Sequence, residues 1–473
     1  MHPLLDLLVG EIRTDISQMV EEGHDEKALL KELEAARARN SLDALASLQE
    51  ELWNRPSPPG FPYEEPNDWE TISAFFPDGD SHARFAGGEA DLAEKLLAAW
   101  QGRCAGCQLG KPLEGAWPEA VKEVLSLVGS WPLGDYMNPV SDKQYKELAQ
   151  RSEAFRRHYR KHLTKGNFDC VAPDDDIHYA IVNQTVLSEF GPEFTAEQAI
   201  GKLIELVPAS CVFAAGRSMF RTAIFGIRSP LTGVFGNPCR QSLGGQIRCD
   251  AWGWGSPGNP ALAARMAYKD AVSSQTRNGI YSAMFFAVLM ADVLAHGDLA
   301  AAIETAASYV PPRSRFAEMV RFVRDRCAAR LQAAGQAGDD WEKANAAIYE
   351  AYDRLPGSPG RRRGKPGRSE KAPMNHCLPN AAIVLMALLT GGGDFARTVG
   401  IAVMGGRDTD CNGATAGSIM GCALGTKGIP AGWTEPFHDT IRCQLKDLPE
   451  VRISELASGM HEAARPNARF DRG

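Results

Sequence analysis

Residues 405–425 read Gly405-Gly406-Arg407-Asp408-Thr409-Asp410-Cys411-Asn412-Gly413-Ala414-Thr415-Ala416-Gly417-Ser418-Ile419-Met420-Gly421-Cys422-Ala423-Leu424-Gly425. Glycines recur every fourth residue at 413, 417, 421 and 425, which puts them on one face of a helix. A second ladder with the same spacing lies at Gly102, Gly106 and Gly110. Glycine inside a helix costs about 1 kcal/mol against alanine, so seven such positions need compensation. Close approach of two helices supplies it. In a membrane this spacing would indicate helix pairing, but Arg407, Asp408 and Asp410 abut the second ladder. The reading is two tightly packed helices in a soluble core. It also brings the chain after Gly110 near the chain before Gly413.

Outward from these ladders the chain is helical in pattern. Apolar periodicity and Ala/Leu-rich composition predict helices over 89–110, 117–128, 142–163, 176–190, 196–205, 208–223, 260–274, 279–296, 298–308, 313–334, 339–352, 376–390, 394–403 and 412–424. Period-two runs of Val, Ile and Thr are scarce, which excludes a sheet-based fold. The expected class is all-α. Residues 1–52 are helical and charged, and Pro56, Pro58, Pro59 and Pro62 break the pattern after them. This predicts an N-terminal helical extension and connector over 1–88, with one short helix in 63–90, and a main domain over 89–473. Long loops are expected at 224–259 and 354–375. The second carries the basic run 361–368, read as a solvated loop or a local anion or nucleic-acid contact.

Composition narrows the function. Of 473 residues, 44% are hydrophobic, enough for a large core, and the net charge of −8 disfavours nucleic acid as a partner. No membrane-length apolar run is seen, and the N-terminus reads as an amphipathic helix rather than a secretory signal. The 11 cysteines are scattered and odd in number. Buried thiols in a reducing cytoplasm account for them. Cys104 and Cys107 form a C-x-x-C, but no second pair offers zinc a full ligand set.

Two acidic clusters carry the chemistry. Asp174, Asp175 and Asp176 precede an apolar helical run, and Asp408 and Asp410 open the glycine-rich helix. Helix N-termini favour acids, so capping explains one or two of them. Three consecutive carboxylates repel unless a cation neutralises them. Hard oxygen ligands of this kind suit Mg²⁺, Mn²⁺ or Ca²⁺, and five carboxylates suit a two-metal site. The alternative for each cluster is a capped helix with solvated acids.

These residues resemble the ADP-ribosylglycohydrolases. Three signatures of that family occur here in order: Gly102 through Glu114, the Asp174-Asp175-Asp176 block, and Gly406 through Gly425. The likeness spans about residues 89–430. It implies a compact orthogonal multi-helix bundle with metal ligands at Asp174, Asp175, Asp176, Asp408 and Asp410. Cys411 stands where the family has a ligand threonine, and thiol is a poor ligand for Mg²⁺. Asp174 replaces a threonine. The resemblance further implies Glu114 as a general base or water-orienting group, with an exposed acid after a helix end as the alternative. It aligns Gly244, Gly245, Gln246 and Arg248 with the family's glycine-rich loop against ADP-ribose, where backbone N–H groups suit a pyrophosphate or ribose. Gln275 stands where that family often has a histidine. Asn278, Tyr281 and His376 are further candidates for substrate contact, with core or turn roles as alternatives; His376 and Asn380 share a helix face.

The expected activity is metal-dependent cleavage of an N- or O-glycosidic bond of an ADP-ribosyl group. Such cleavage passes through an oxocarbenium-like transition state, with Glu114 or Asp175 accepting the water proton. The expected cofactor is a pair of Mg²⁺ ions, with Mn²⁺ as an alternative. Expected partners are an ADP-ribosylated protein or a small ADP-riboside or riboside, with no membrane. Two other functions fit: a hydrolase of small ribosides such as nucleosides, or an inactive family member that binds ADP-ribose. The location expected is cytoplasmic. Oligomeric state has no signature.

Overall fold

A computed structural model describes residues 3–77, 85, 87–331, 340–352, 372–468 and 470. At its centre the helices Glu89–Gly110 and Thr409–Leu424 cross in van der Waals contact along their glycines. A Cβ on Gly102 would meet the Gly417 carbonyl oxygen at 2.1 Å, one on Gly106 that of Gly413 at 1.9 Å, and one on Gly110 that of Thr409 at 2.1 Å. A Cβ on Gly421 would meet the Ala98 oxygen at 2.2 Å. The pairing runs in opposite senses along the two chains, so the helices are antiparallel. The Thr409 hydroxyl donates to the Gly110 carbonyl at 2.8 Å, locking the end where the site forms.

The ends of these helices follow ordinary rules. Glu89 and Asp91 lie in the first turn of Glu89–Gly110, where acids complement the dipole, and the Asp91 carboxylate accepts the Gly88 N–H at 2.8 Å. Thr409–Leu424 stops at Gly425, whose φ of 67° belongs to the left-handed region.

Around this pair pack Asn278–His296, Cys377–Thr390, Phe395–Met404 and Asp175–Phe190. Asn278–His296 is apolar on every side. It is long and apolar enough to cross a membrane, yet 94% of its apolar window is buried inside the protein. A helix hydrophobic all round belongs in the core of a large domain.

The N-terminal helices Pro3–Glu21, Glu26–Ala38 and Leu42–Asn54 bury their own cluster, including Ile12, Ile16, Leu33 and Leu45. Asp25 and Ser41 cap the second and third of them. This unit docks through buried charge: Asp15 pairs with Arg240, Glu21 with Arg315 and His376, and Glu22 with Arg277. The connector continues the contact, with Glu65 paired to Arg315 at 2.7 Å.

The class is all-α, with one small antiparallel hairpin of Thr440–Leu445 and Leu448–Arg452. Three local expectations change. The predicted helix 142–163 is two helices, Asp142–Arg151 and Glu153–His158, because Ser152 turns extended and caps the second through Phe155 N–H at 2.9 Å. The predicted loop 224–259 contains a short helix, Asp250–Trp254, with both tryptophans buried. The C-terminal hairpin and the helix Ile453–Ala464 were not anticipated. The basic run 361–368 lies outside the described residues. No disulfide joins the cysteines, and burial pushes the Cys104 and Cys107 thiols up.

Candidate active site

Both acidic clusters sit at helix starts that the fold points at each other. Asp174 caps Asp175–Phe190, accepting the Asp176 N–H at 3.0 Å. Asp408 begins Thr409–Leu424. The turn before it needs unusual backbone: Gly406 has φ 80° and Arg407 φ 67°, the second costly for a residue with a Cβ. Two backbone hydrogen bonds hold it, Arg407 N–H to Ala116 O and Gly115 N–H to Arg407 O, both 2.8 Å. This exchange sets Glu114 beside Asp408. The Arg407 guanidinium is buried between the Trp117 and Tyr349 rings and donates to Pro373 O at 3.1 Å.

The clusters converge. Ligand atoms of Asp174, Asp175 and Asp176 lie within 4.8 Å of one another, as do those of Asp408, Asp410 and Cys411. The Cys411 thiol donates to Asp176 Oδ2 at 3.1 Å, linking the two. Asp174, Asp175, Asp408, Asp410, Cys411 and Glu114 line one cleft of about 490 Å³. Asp176 is fully buried behind them.

The electrostatics are those of a site short of positive charge. Burial, then Asp174 and Asp176, push the Asp175 carboxyl well above its ordinary range. Burial and neighbouring carboxylates do the same to Asp410. Asp176 is raised by burial despite Arg103 beside it, and Asp408 is raised by burial despite the hydrogen bond it shares with Asp410. Glu114 has an exposed edge, yet the protein around it, then Asp408 and Asp174, raise it to about 7. Burial pushes the Cys411 thiol far up, so it remains a donor. Two fixed cations answer this crowd. Lys111 pairs with Asp174. Arg103, fully buried, bonds Asp176 O at 2.7 Å and Asp176 Oδ1 at 3.2 Å, with Asp250 at 2.8 Å on its other side.

A hard divalent cation fits this donor set. Asp410 Oδ1 is buried with no hydrogen-bond partner, a costly state that a cation would relieve. Asp174, Asp175, Asp176, Asp408 and Asp410 supply carboxylate oxygens, the ligand class of Mg²⁺ and Mn²⁺. Cys411 spends its proton on Asp176, which suits a role in orienting that carboxylate rather than ligation.

The substrate candidates divide. Gly244 and Arg248 line the cleft. Arg248 is fixed by Asp270 at 3.0 Å and Ser274 at 2.8 Å. Gly245 and Gln246 are buried behind the wall, where Gln246 donates to Thr415 at 3.4 Å and a Cβ on Gly245 would meet Gly279 O at 2.9 Å. Gln275 is buried beneath Gly244, its amide 3.5 Å from Ser242 Oγ. Asn278, Tyr281 and His376 do not line the cleft. The N-terminal segment occupies them: Asn278 donates to Glu65 at 2.9 Å, Tyr281 to Pro66 O, and His376 meets Glu21 at 2.9 Å. His376 Nδ1 accepts the Leu378 N–H, so its Nε2 carries the proton donated to Glu21. The neighbouring Asn380 ties this region to the site. Its amide donates to Met374 O and His376 O, both at 2.8 Å, and its oxygen accepts from Asp408 N–H at 3.3 Å.

Several cleft residues escaped the sequence reading. Phe213, half exposed, and Ala214, with φ 44°, form part of the wall facing the acids. Lys111 and Arg407 lay inside quoted motifs, but nothing local distinguished an ion-pair or strap role from a solvated charge. Asp250 pairs with Arg103 across 147 positions, beyond the reach of any local pattern.

Comparison with known proteins identifies the family. The ADP-ribosylglycohydrolase family profile matches residues 88–464. Among solved structures, one described as an ADP-ribosylglycohydrolase-related protein complex aligns with 16% identity and a TM-score of 0.47, covering 80% of this chain and 99% of that one. No curated protein matches. The chain belongs to the ADP-ribosylglycohydrolase family, a family of glycosidic-bond hydrolases.

Proposed function

We propose that the protein is a divalent-metal-dependent hydrolase that cleaves the N- or O-glycosidic bond of an ADP-ribosyl group. The observation that carries this reading is the convergence of four aspartates and Glu114 in one cleft, with Asp176 buried directly behind them. Asp174, Asp175, Asp176, Asp408 and Asp410 would hold one or two Mg²⁺ or Mn²⁺ ions. When bound, such ions hold ribose hydroxyls and polarise oxygen near the anomeric carbon.

The chain's own groups do the rest. Arg103 and the Cys411 thiol fix Asp176, so its oxygens cannot rotate away. The Asn380 oxygen steadies the backbone at Asp408. Holding sugar and water in register removes much of the entropic barrier. Glu114 Oε accepts the water proton as the bond to the anomeric carbon forms; its raised value of about 7 suits that transfer at neutral pH. The wall of Phe213, Ala214 and Gly244 receives the remainder of the glycosyl group and excludes water. The cleft, about 490 Å³, falls in the range of small-molecule sites.

The inactive, ADP-ribose-binding reading draws on two contacts: Lys111 and Cys411 each occupy an oxygen of the acidic set. Hydrolysis of ADP-ribosyl-arginine, ADP-ribosyl-serine and a small riboside panel, with Mg²⁺ or Mn²⁺ and with EDTA, decides between them. EDTA-sensitive release of ADP-ribose is expected, and Glu114→Gln should lower kcat/KM by about 10²–10⁴-fold while metal still binds. ADP-ribose binding without turnover on any substrate would leave the inactive reading.

A further inference from the structure

Across Lys111 and Glu114 from the cleft lies a second hollow of about 340 Å³. Lys111 and Glu114 border both, and Arg157, His158, Arg160 and His162 close the far side. These four come from the helix Glu153–His158 and the turn after it. The segment 151–165, RSEAFRRHYRKHLTK, holds Arg151, Arg156, Arg157, Arg160, Lys161 and Lys165 against the single acid Glu153. In a chain of net charge −8 that is a concentrated basic patch.

The patch is not neutralised from within. Lys161 and Lys165 are answered by Asp142 and Asp135. Arg157 and Arg160 form no ion pair with a carboxylate among the described residues, although Arg160 donates to Tyr159 O at 3.0 Å. Both guanidinium groups are exposed and close to His158. Burial, then Arg157 and Arg160, lower that imidazole, which keeps it neutral and leaves the two arginines as the fixed charge. Basic residues at a helix C-terminus are favoured by the dipole. That accounts for a charge in the last turn, not for two arginines facing one concavity next to the site.

The position gives the hollow its meaning. Phe213, Ala214, Gly244 and Arg248 line the carboxylate cleft and not the basic hollow, whereas Lys111 and Glu114 border both. A ligand with its ribose over the carboxylates would direct the group it releases toward Arg157 and Arg160. Guanidinium pairs match phosphate oxygens through paired N–H donors.

We propose that the hollow is a phosphate subsite on the leaving-group side, so that preferred substrates carry a phosphate on the group released from the ribose. This rests on the reading of the main cleft as a ribosyl hydrolase site. In the reaction the bond from the anomeric carbon to the leaving atom breaks and a bond to water oxygen forms. One water proton passes to Glu114, the leaving atom departs with the bonding pair and takes a proton from solvent, and Glu114 returns its own proton to solvent to close the cycle. The phosphate is bound and not cleaved. Its source is a small phosphate ester or the terminal phosphate of an oligonucleotide.

The test is calorimetric titration of the full-length protein and Arg157→Ala/Arg160→Ala in EDTA and low salt. The probes are glycerol 3-phosphate, a 5′-phosphorylated tetranucleotide, its unphosphorylated counterpart and ADP-ribose. The expected result is phosphate-dependent binding that the double variant weakens at least tenfold, with ADP-ribose affinity unchanged. Binding of both phosphate probes identifies the phosphate itself as the ligand; binding of the phosphorylated tetranucleotide alone identifies a nucleic-acid end. Equal binding of both tetranucleotides, equal binding by both proteins, or no phosphate binding overturns the subsite. A parallel loss of ADP-ribose affinity would move the hollow to the nucleotide side and overturn the leaving-group assignment. Titration needs no turnover, so it reads the subsite even where the hydrolase reading fails.

Discussion

At the scale of single residues, the site is a cluster of carboxylates whose charge the fold does not balance. Asp175 and Asp410 are held well above their ordinary range and Glu114 at about 7, whereas in the unfolded chain they titrate near 4. Between roughly pH 4 and 7 the metal-free folded chain therefore binds more protons than the unfolded chain, and these groups make stability fall as pH rises. Asp410→Asn removes one of them. In EDTA the wild type should lose Tm relative to Asp410→Asn between about pH 5 and 7.5, and the rise in Tm caused by Mn²⁺ should be larger at the higher pH. Calorimetry at the two pH values checks both; a wild type that gains on the variant as pH rises would contradict this account of the charge. At this scale the acids themselves were legible, because three adjacent aspartates and an Asp-x-Asp at helix starts exceed what capping requires. Their counter-charges were not. Lys111, and Arg103 held between Asp176 and Asp250, have meaning only once three helices meet.

At the scale of elements, the glycine ladders carry the architecture. Spacing of four at Gly102–Gly110 and Gly413–Gly425 was legible because it contradicts helix propensity and so demands a reason. The register was not, since either ladder could slide by one turn without changing its pattern; the Thr409 hydroxyl on Gly110 O fixes it. A methyl at Gly106 would sit 1.9 Å from the Gly413 oxygen, backbone that cannot yield. Gly106→Ala should destabilise by at least about 3 kcal/mol. Gly10 is a helical glycine with open space around its Cβ position, so Gly10→Ala should stabilise by about 0.5–1 kcal/mol. Urea unfolding of the two variants measures the contrast, and equal effects would mean that the ladder is not what sets the helix spacing. The break at Ser152 shows a limit of periodicity. The pattern 142–163 continues across Ser152, where the extended backbone of one capping serine divides it, and again past His158, where Tyr159 and Arg160 turn extended.

At the scale of the whole molecule, the N-terminal helices are joined to the catalytic region through buried charge. Glu21 contacts both His376 and Arg315, which outweigh the burial that would raise its carboxyl and hold it below its ordinary range. His376 in turn shares Asn380 with Asp408, so the extension reaches the acids through two side chains. Asn278, Tyr281 and His376, expected to touch substrate, instead bind this extension. Contacts across hundreds of positions leave no periodic trace, and a histidine four residues from an asparagine reads alike in either role. Removing one partner of a buried pair costs about 3–5 kcal/mol. Glu21→Gln should lose stability of that order in urea, and a change below about 1 kcal/mol would mean the docking is not ionic. The central claim is that the aspartates of two distant segments form one divalent-metal site. Calorimetric titration of Mn²⁺ into EDTA-stripped protein at neutral pH tests it most directly. Saturable binding by the wild type, abolished in both Asp175→Ala and Asp408→Ala, is the predicted result; binding that survives either substitution, or no binding by the wild type, would contradict it.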